Sequence, residues 1–504
     1  MKSSPDSLFQ LIKSLSMSEK RYFTLFTSKY NSNGKSNYIK LFDAISDQEV
    51  YDEKQLKKDL RDRIMAKNLP VEKNYLSSLI LQSLNVFHSH ISIDSEIRNL
   101  IHQLEVLHGK GLNKHCRIIL LKAKHLAIVN EKFALLLELI DWELKIASVH
   151  DNFDQLFQLQ KTTLKQCHNL MAYQHISKEI ANTILSKGIA RTSKDRKIVD
   201  KLMKSPLLKS ESQALSLRAK LVFYNVYELY YHMKGDFSRN YKVSGKMLEI
   251  LEANSSLIKE KPMHYLGSMN NYIIACFHLK KFSEIFKCYE KFELVAERSI
   301  QVEVKKFLLL YIYRPAIHIV TGEFEKGFVL IKSIEEGLKK YEGKIRIADE
   351  VVLYKNVSWL YFGMKQYRKS LLWLNKILNH SSDEVRRDTY SLALIFNLII
   401  HFELGNSDLL EYSVKSAYRF LYKKQNLFAF EKSILHFIRK AAQYRIGSGE
   451  LTEEFRKLKK ELVSVFEKAP TERRVLEFFD FLSWIDSKIE GKDFAQVIRE
   501  KYKP

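Results

Sequence analysis

The sequence predicts an all-α fold of tandem antiparallel helix pairs, preceded by a small helical N-terminal region. Glycine (16) and proline (7) are both scarce among the 504 residues, which favours long helices over a hairpin-rich sheet. Apolar residues make up 46% and charged residues 28% of the chain, as in an ordered globular protein. The strongest indication is a repeat, in which a polar turn is followed at nearly constant spacing by a helix-opening apolar residue.

Six positions define the repeat, and each follows a polar or glycine-containing turn. They are Phe237, Phe282, Phe324, Tyr367, Leu409 and Leu451, at intervals of 45, 42, 43, 42 and 42 residues. After Phe324, small or apolar residues recur at helical steps, beginning with Gly327 and Leu330, which predicts a helix with one buried face. In four units a glycine stands where the preceding helix must stop, at Gly235, Gly322, Gly405 and Gly447. Glycine tolerates the left-handed cap that is needed there.

These units resemble those of the tetratricopeptide (TPR) family. Tyr367 opens the second helix of its unit, small Ser370 follows three residues later and bulky Trp373 six residues later, which is the family's pattern. Our units exceed the 34-residue TPR by about eight residues, or about one turn per helix. In the last two units the buried stripe is shifted by one place. A 42-residue unit also fits HEAT-like helix pairs.

The resemblance covers about residues 113–490. It implies a right-handed superhelix, an α-solenoid of antiparallel helix pairs, that binds a partner, and it transfers no specific ligand. Phe133 and Phe153, each after a polar turn, indicate successive helices of an earlier unit. The predicted regions are an N-terminal helical region (1–112), irregular early helix pairs (113–187), a basic insertion (188–212), the TPR-like array (213–490) and a C-terminal tail (491–504).

The N-terminal region does not follow the repeat. Two helices are predicted to begin at Ser4-Pro5 and at the capping box of Ser16 and Glu19. Three more are predicted from Tyr38 to Ile45, from Glu53 (after the cap Asp52) to Met65, and from the residue after Pro70 to His88. Short helices joined by tight turns also suit a helix-turn-helix DNA reader. The link between the third and the last predicted helix is long for that motif, and the net charge of the region is close to zero. Both observations favour a region that caps the first repeat.

The chain is strongly basic, with a formal charge of +23 from 82 Lys and Arg against 59 Asp and Glu. The excess is spread along the helical body, as a basic groove or flank would be. The first residues lack the apolar segment of a secretory signal, and the apolar window from Ser391 to Phe402 is too short to span a bilayer. The four cysteines form no CxxC pair. We therefore expect a cytoplasmic protein without a membrane span.

No sequence motif indicates catalysis. The chain contains no phosphate-binding glycine loop, no dinucleotide-binding fingerprint, no zinc-protease motif and no nucleophile elbow. The sixteen histidines are scattered without metal-ligand spacing. We therefore predict that the protein is not an enzyme and holds neither a cofactor nor a metal ion.

The clearest binding signal is basic. Between Ser413 and Gly447 there are eight Lys or Arg residues and one acid, Glu431. The candidate basic binding surface consists of Lys415, Arg419, Lys423, Lys432, Arg439 and Lys440. The first three are four residues apart and so form a ridge on one helix. A second basic cluster lies in the insertion, at Arg191, Lys194, Arg196 and Lys197.

Like charges four residues apart repel each other on a helix, so helix stability does not explain the ridge. It is either a solvated face or a contact for phosphate groups.

The leading hypothesis is a non-enzymatic scaffold or adaptor that binds a protein or peptide partner through the TPR-like superhelix. The alternative is binding of nucleic acid or a ribonucleoprotein through the basic ridges, with a regulatory role if the N-terminal helices read DNA.

Overall fold

A computed structural model describes residues 7–28, 37–59, 68–89, 92–147, 152–187, 200–296, 299–380, 385–441 and 449–502. In these ranges the chain is helical and has no β-strand, which confirms the predicted all-α class. None of the helices described combines the length and hydropathy needed to cross a membrane. The chain divides into two compact units, Met1–Cys167 and His168–Pro504.

Among the residues described up to Phe87, five helices surround one apolar core: α1 (Ser7–Ser14), α2 (Met17–Ser28), α3 (Asn37–Asp47), α4 (Glu53–Asp59) and α5 (Leu69–Phe87). The predicted capping box begins α2, because the Ser16 backbone N–H donates to Oε2 of Glu19 at 2.7 Å and the Glu19 N–H donates to Oγ of Ser16 at 3.3 Å. Asp52 caps α4 as predicted, accepting two backbone N–H groups of its first turn. The predicted start at Ser4-Pro5 and the end at Met65 lie outside the described residues.

Three more helices of the first unit follow: α6 (Ile93–Gly109), α7 (Asn113–Val129) and α8 (Phe133–Ile146). α7 packs against both neighbours around a core of aliphatic residues and Cys116. The long helix α9 (Phe153–Lys187) begins in the first unit and ends in the second. Both α8 and α9 begin at the aromatic residues that the sequence singled out.

In the second unit, most helices pack against their neighbours in sequence. They are α10 (Leu217–Lys234), α11 (Phe237–Ala253), α12 (Ser255–Glu260), α13 (Pro262–His278), α14 (Phe282–Glu290), α15 (Ile300–Val320), α16 (Phe324–Phe328), α17 (Ile331–Lys340), α18 (Ile347–Gly363), α19 (Tyr367–Leu378), α20 (Arg387–Glu403), α21 (Ser407–Lys423), α22 (Ala429–Ala441) and α23 (Gly449–Lys468). Four of them begin at the predicted aromatic residues. The next opening lies at Ser407, two residues before the predicted Leu409, and α23 is described from Gly449 onward, with the residues before it outside the described ranges.

One turn geometry recurs between these helices. The residue two positions before α11, α14, α16, α19 and α21 has a positive φ, at Gly235, Lys280, Gly322, Lys365 and Gly405. The backbone N–H of the following residue donates to the carbonyl five positions earlier, at 2.8–3.1 Å. This is the Schellman turn, which satisfies the last carbonyls of a helix. Because this turn fixes the start of α21 at Ser407, the expected opening at Leu409 lies two residues late. The fourth predicted helix-ending glycine, Gly447, lies outside the described residues.

Polar contacts join α10 to α13, α13 to α15, and α15 to α18. Asn271 donates to Oε2 of Glu228 at 2.9 Å, the Tyr313 hydroxyl donates to Oδ1 of Asn270 at 3.2 Å, and Asn356 donates to the Ile312 carbonyl at 2.7 Å. The partners are 43, 43 and 44 residues apart in the sequence. The three contacts therefore join helices at a nearly constant separation in the sequence.

A C-terminal segment packs against the ends of helices in the same unit. It comprises a 3₁₀ helix (Glu472–Glu477), α24 (Phe481–Glu490) and α25 (Phe494–Tyr502). Nε1 of Trp484 donates to Glu403, the last residue of α20, at 2.6 Å. The ring of Tyr502 lies 6.0 Å from that of Phe282, where α14 begins. Residues 491–504, expected to form a tail, thus contain a packed helix.

Candidate binding surface

Helix α21 has one apolar side and one basic side. Its buried residues are Leu410, Val414, Ala417 and Leu421. Lys415, Arg419 and Lys423 are exposed and point away from that stripe, since the two sets occupy different positions around the helix. Local sequence therefore places all three cations along one ridge.

Ion pairing distinguishes the members of this ridge. Nζ of Lys415 lies 2.7 Å from Oε1 of Glu411. The hydrogen bond and charge of Lys415, and more weakly the charge of Arg439, lower the pKa of Glu411. Within the part of the chain that the structure describes, Arg419 and Lys423 have no carboxylate partner. Their charges are therefore available to an external anion.

The predicted basic residues of α22 also differ from one another. Lys432 and Arg439 are exposed, whereas Lys440 is half-buried. Nζ of Lys440 lies 2.8 Å from Oε2 of Glu454 on α23. Lys440 thus links two helices, and a ligand would have to compete with Glu454 for it.

Exposed tyrosines interrupt the basic ridge. Tyr412 is 75% exposed, Tyr422 70% and Tyr418 47%. The rings of Tyr418 and Tyr422 are 6.4 Å apart and nearly parallel, at 6°. Exposed tyrosine rings beside Arg419 are typical of a binding surface, because tyrosine and arginine are both enriched in protein interfaces. We call the set Tyr412, Lys415, Tyr418, Arg419, Tyr422 and Lys423 the basic face of α21.

The second basic cluster, Arg191, Lys194, Arg196 and Lys197, lies outside the described residues. The described chain resumes at Asp200, whose carboxylate pairs with Nζ of Lys234 at 2.8 Å. The geometry of a candidate surface therefore comes from α21 and α22.

The described residues offer no group of three His, Cys, Asp or Glu side chains that could hold a metal ion. All four cysteines are free thiols. Burial raises the pKa of the Cys276 and Cys288 thiols to about 12. Because the thiolate is the nucleophilic form, these two side chains act in packing at neutral pH.

The sequence did not single out an exposed aliphatic face on α7. Ile118, Leu121 and Val129 are all largely exposed, although the helix buries a separate stripe through Cys116 and Leu120. The helix also contains Lys and Arg but no acidic residue. Contiguous exposed aliphatic residues are typical of protein–protein contacts. In the sequence, the only indication of this face is that α7 contains more apolar residues than one buried stripe of a helix can hold.

No family model, curated protein or solved structure matches this chain. A fold class by itself does not specify a function. The function must therefore be inferred from the surfaces of this chain.

Proposed function

We propose that this chain is a non-enzymatic scaffold whose TPR-like helix pairs form a right-handed superhelix and which binds an acidic segment of a partner protein. The recurring Schellman turn and the polar contacts one unit apart support a repeat architecture. In such an array each unit contacts its neighbours, and long helix faces stay open to a partner. The free buried thiols suit a reducing compartment, so we propose the cytoplasm as its location.

The observation that carries this proposal is the basic face of α21. Arg419 and Lys423 lack carboxylate partners among the described residues, and Tyr412 and Tyr422 expose most of their surface. Tyrosine and arginine are the residues that contribute most often to the binding energy of protein interfaces. Acidic side chains of a partner would supply the carboxylates that this face lacks. The exposed aliphatic face of α7 is a second feature that suits a protein partner.

The test is a charge reversal, Arg419→Glu with Lys423→Glu, in the full chain. The control reverses Lys242 and Lys246 to Glu, two exposed lysines with the same spacing on α11. Tagged proteins are used to capture partners from nuclease-treated host extract, and recovery of each partner is quantified by mass spectrometry. We expect a partner rich in Asp or Glu that wild type and control retain and that the α21 variant loses by about tenfold or more. Equal recovery by both variants would contradict the proposal.

Nucleic-acid binding is the second candidate, because parallel Tyr418 and Tyr422 flank Arg419. Such rings can stack on bases while the cation contacts phosphate. Filter binding to single-stranded RNA and duplex DNA at two salt concentrations tests this alternative. It requires binding that weakens steeply with salt and that Tyr422→Ala reduces. Absence of binding at low salt would eliminate it.

A further inference from the structure

Helix α7 of the first unit has apolar residues on two opposite sides. Its buried stripe consists of Cys116, Leu120, Ala123 and Ala127. Because successive residues of an α-helix are turned by about 100°, Ile118, Leu121 and Ile128 lie on the side opposite that stripe. These three side chains are 67%, 65% and 49% exposed, and neighbouring Val129 is 65% exposed. Among the described residues, α7 therefore packs on α6 and α8 with one side and leaves an aliphatic side open.

The exposed side of α7 has the spacing of a seam between two helices. Its residues follow one another at alternating steps of four and three, in the order Lys114, Ile118, Leu121, His125 and Ile128. All of them are exposed. With this spacing one α-helix packs along another in a coiled coil. The seam extends over about 21 Å, or about four helical turns, which matches a partner helix of about two to three heptads.

The positions that flank this seam are basic. His115 and Lys122 lie along one side of it, and Arg117 and Lys124 lie along the other. Helix α7 contains no Asp or Glu. In coiled coils, the charges at the flanking positions determine which helices pair with each other. The seam is therefore complementary to a helix whose flanking positions are acidic.

The two flanks differ in how far they are engaged within the unit. Lys124 pairs with Glu143 of α8, and Arg117 donates to a carbonyl at the end of α8 at 3.4 Å. On the other flank the Lys122 side chain is 60% exposed, and its Nζ lies 3.7 Å from Oε1 of Glu96. An ammonium group has three N–H donors, so an exposed Lys122 can bind a second carboxylate. Recognition of an acidic flank thus depends mainly on the Lys122 side of the seam.

The composition of α7 disfavours two other occupants of this face. Packing of two copies of α7 against each other would place basic flanks beside basic flanks in either direction, which is destabilising. Helices that lie in a membrane surface commonly carry Trp or Phe on their apolar side. Helix α7 contains no Trp, Phe or Tyr, and Lys114 and His125 interrupt its apolar side. A helix of another protein suits both the seam and its flanks.

We propose that the exposed side of α7 binds an amphipathic helix of a partner protein, with aliphatic residues along its seam and Asp or Glu at its flanking positions. Ile118, Leu121 and Ile128 pack against the aliphatic residues, and Lys122 pairs with a flanking carboxylate. The inference rests on the proposed scaffold function but concerns a separate site, because the basic face of α21 belongs to the second unit.

Fluorescence anisotropy tests the proposal, with labelled peptides of about three heptads titrated with the full chain. The probe peptide has leucine at its seam positions, glutamate at its flanking positions, and alanine and glutamine elsewhere. One control peptide has lysine in place of the glutamates. A second has alanine in place of the leucines, which preserves helix propensity. We expect the probe to bind saturably and at least about tenfold more tightly than either control.

The alanine peptide also separates this site from the basic face of α21. It keeps all the acidic charge of the probe, so it measures any binding that depends on charge alone. The result does not depend on Arg419 or Lys423. The proposal for α7 can therefore fail while that for α21 holds, and the reverse.

Matched variants locate the binding site. Leu121→Asp places a charge in the seam, and Leu372→Asp on α19 is the control, because both leucines are 65% exposed. We expect Leu121→Asp to weaken binding of the probe by about tenfold or more, and Leu372→Asp to change it by less than about twofold. Circular dichroism checks the helical content of both. Lys122→Glu should weaken binding of the glutamate peptide and strengthen that of the lysine peptide.

Equal binding of the probe and the alanine peptide, or equal effects of the two leucine variants, would overturn the proposal. Sedimentation with anionic vesicles and sedimentation velocity of the chain alone complete the test. If no peptide binds, but Leu121→Asp abolishes binding to vesicles or dissociates a dimer of the chain, the face contacts lipid or a second copy and the proposal is wrong.

Discussion

At the scale of single residues, Glu228 is a buried carboxyl on α10 in the second unit. It is 1% exposed, and its Oε2 accepts from Asn271 at 2.9 Å. Burial raises the pKa of this carboxyl to about 8, although the hydrogen bonds from Asn271 and Asn225 oppose the shift. Glu228 is therefore largely protonated in the folded protein at neutral pH, and its neutral form suits an apolar helix interface.

This shift predicts a pH-dependent stability. An unfolded glutamate has a pKa of about 4.3, so between about 4.3 and about 8 the folded state binds a proton that the unfolded state releases. Stability is therefore lost as pH rises through that window, by up to about 1.4 kcal/mol per pH unit. Glu228→Gln removes the titration, and its thermal midpoint relative to wild type should rise steadily from pH 5 to pH 8.

Glu249→Gln is the control, because Glu249 is an exposed glutamate on the neighbouring helix α11. Its midpoint should follow that of wild type at every pH. If the Glu228→Gln and wild-type profiles were parallel, the carboxyl would titrate equally in both states and the assignment to Glu228 would be wrong.

At the scale of helices, local patterns were sufficient to predict most openings. An aromatic residue after a polar turn located the starts of α11, α14, α16 and α19, because the turn and the first buried side chain are close in sequence. The positive φ at Lys280 and Lys365 was not predictable, because lysine rarely adopts the left-handed conformation, whereas a glycine after a helix indicates it. The late prediction at Leu409 has another cause, because Gly405 did indicate the turn but the first two residues of α21, Ser407 and Asp408, are polar and resemble part of it.

The candidate surface was predictable only in part for a related reason. Spacing placed Lys415, Arg419 and Lys423 on one face of a helix, and the structure agrees with that placement. Spacing could not reveal that Lys440 pairs with Glu454, because the carboxylate belongs to the next helix and the pair depends on how the two helices pack.

Gln425, at the end of α21, offers a test of the recurring turn. It is exposed, has a φ of 57°, and precedes Asn426, whose N–H donates to the Leu421 carbonyl at 2.9 Å. A side chain in this conformation costs about 1–2 kcal/mol, partly offset for glycine by the greater entropy of the unfolded chain. Gln425→Gly should therefore stabilise the second unit by about 0.5–1 kcal/mol.

The urea midpoint, followed by circular dichroism, measures this effect. Gln425→Ala is the matched control, because alanine keeps the Cβ atom and hence the strain. We expect it to be no more stable than wild type. A midpoint that falls in Gln425→Gly, or rises equally in both variants, would show that the turn does not strain Gln425.

At the scale of the whole second unit, packing depends on contacts that are far apart in sequence. Arg474 donates to the carbonyl of Met233 at 3.2 Å across 241 residues, and Trp484 reaches Glu403 across 81 residues. No periodicity within a helix pair encodes such contacts, so residues 491–504 looked like a tail. The C-terminal segment instead contacts the ends of helices that are far from it in the sequence, among them α10 and α20.

The docking of α25 leads to the last prediction, which concerns Gly322. Its φ is 73°, and a Cβ atom there would lie 2.7 Å from the Ala495 carbonyl oxygen and 2.9 Å from the Arg499 backbone nitrogen. Gly405 has a φ of 72° but nothing within 4 Å of the equivalent position. Alanine at either site incurs the same backbone strain, about 1–2 kcal/mol, but only at Gly322 must it also displace the backbone of α25.

Amide hydrogen exchange separates these two effects. Displacement of α25 adds an overpacking cost of about 1–3 kcal/mol, which shifts local opening by about tenfold or more. We therefore expect Gly322→Ala to accelerate exchange throughout residues 494–502, whereas Gly405→Ala leaves exchange there unchanged and affects only its own turn. Equal rates of amide exchange in α25 of the two variants would mean that the stability of this helix does not depend on its contact with the Gly322 turn. Accelerated exchange would establish that the C-terminal segment depends on a turn about 170 residues away in the sequence, and that local stability in the second unit depends on contacts between distant parts of the chain.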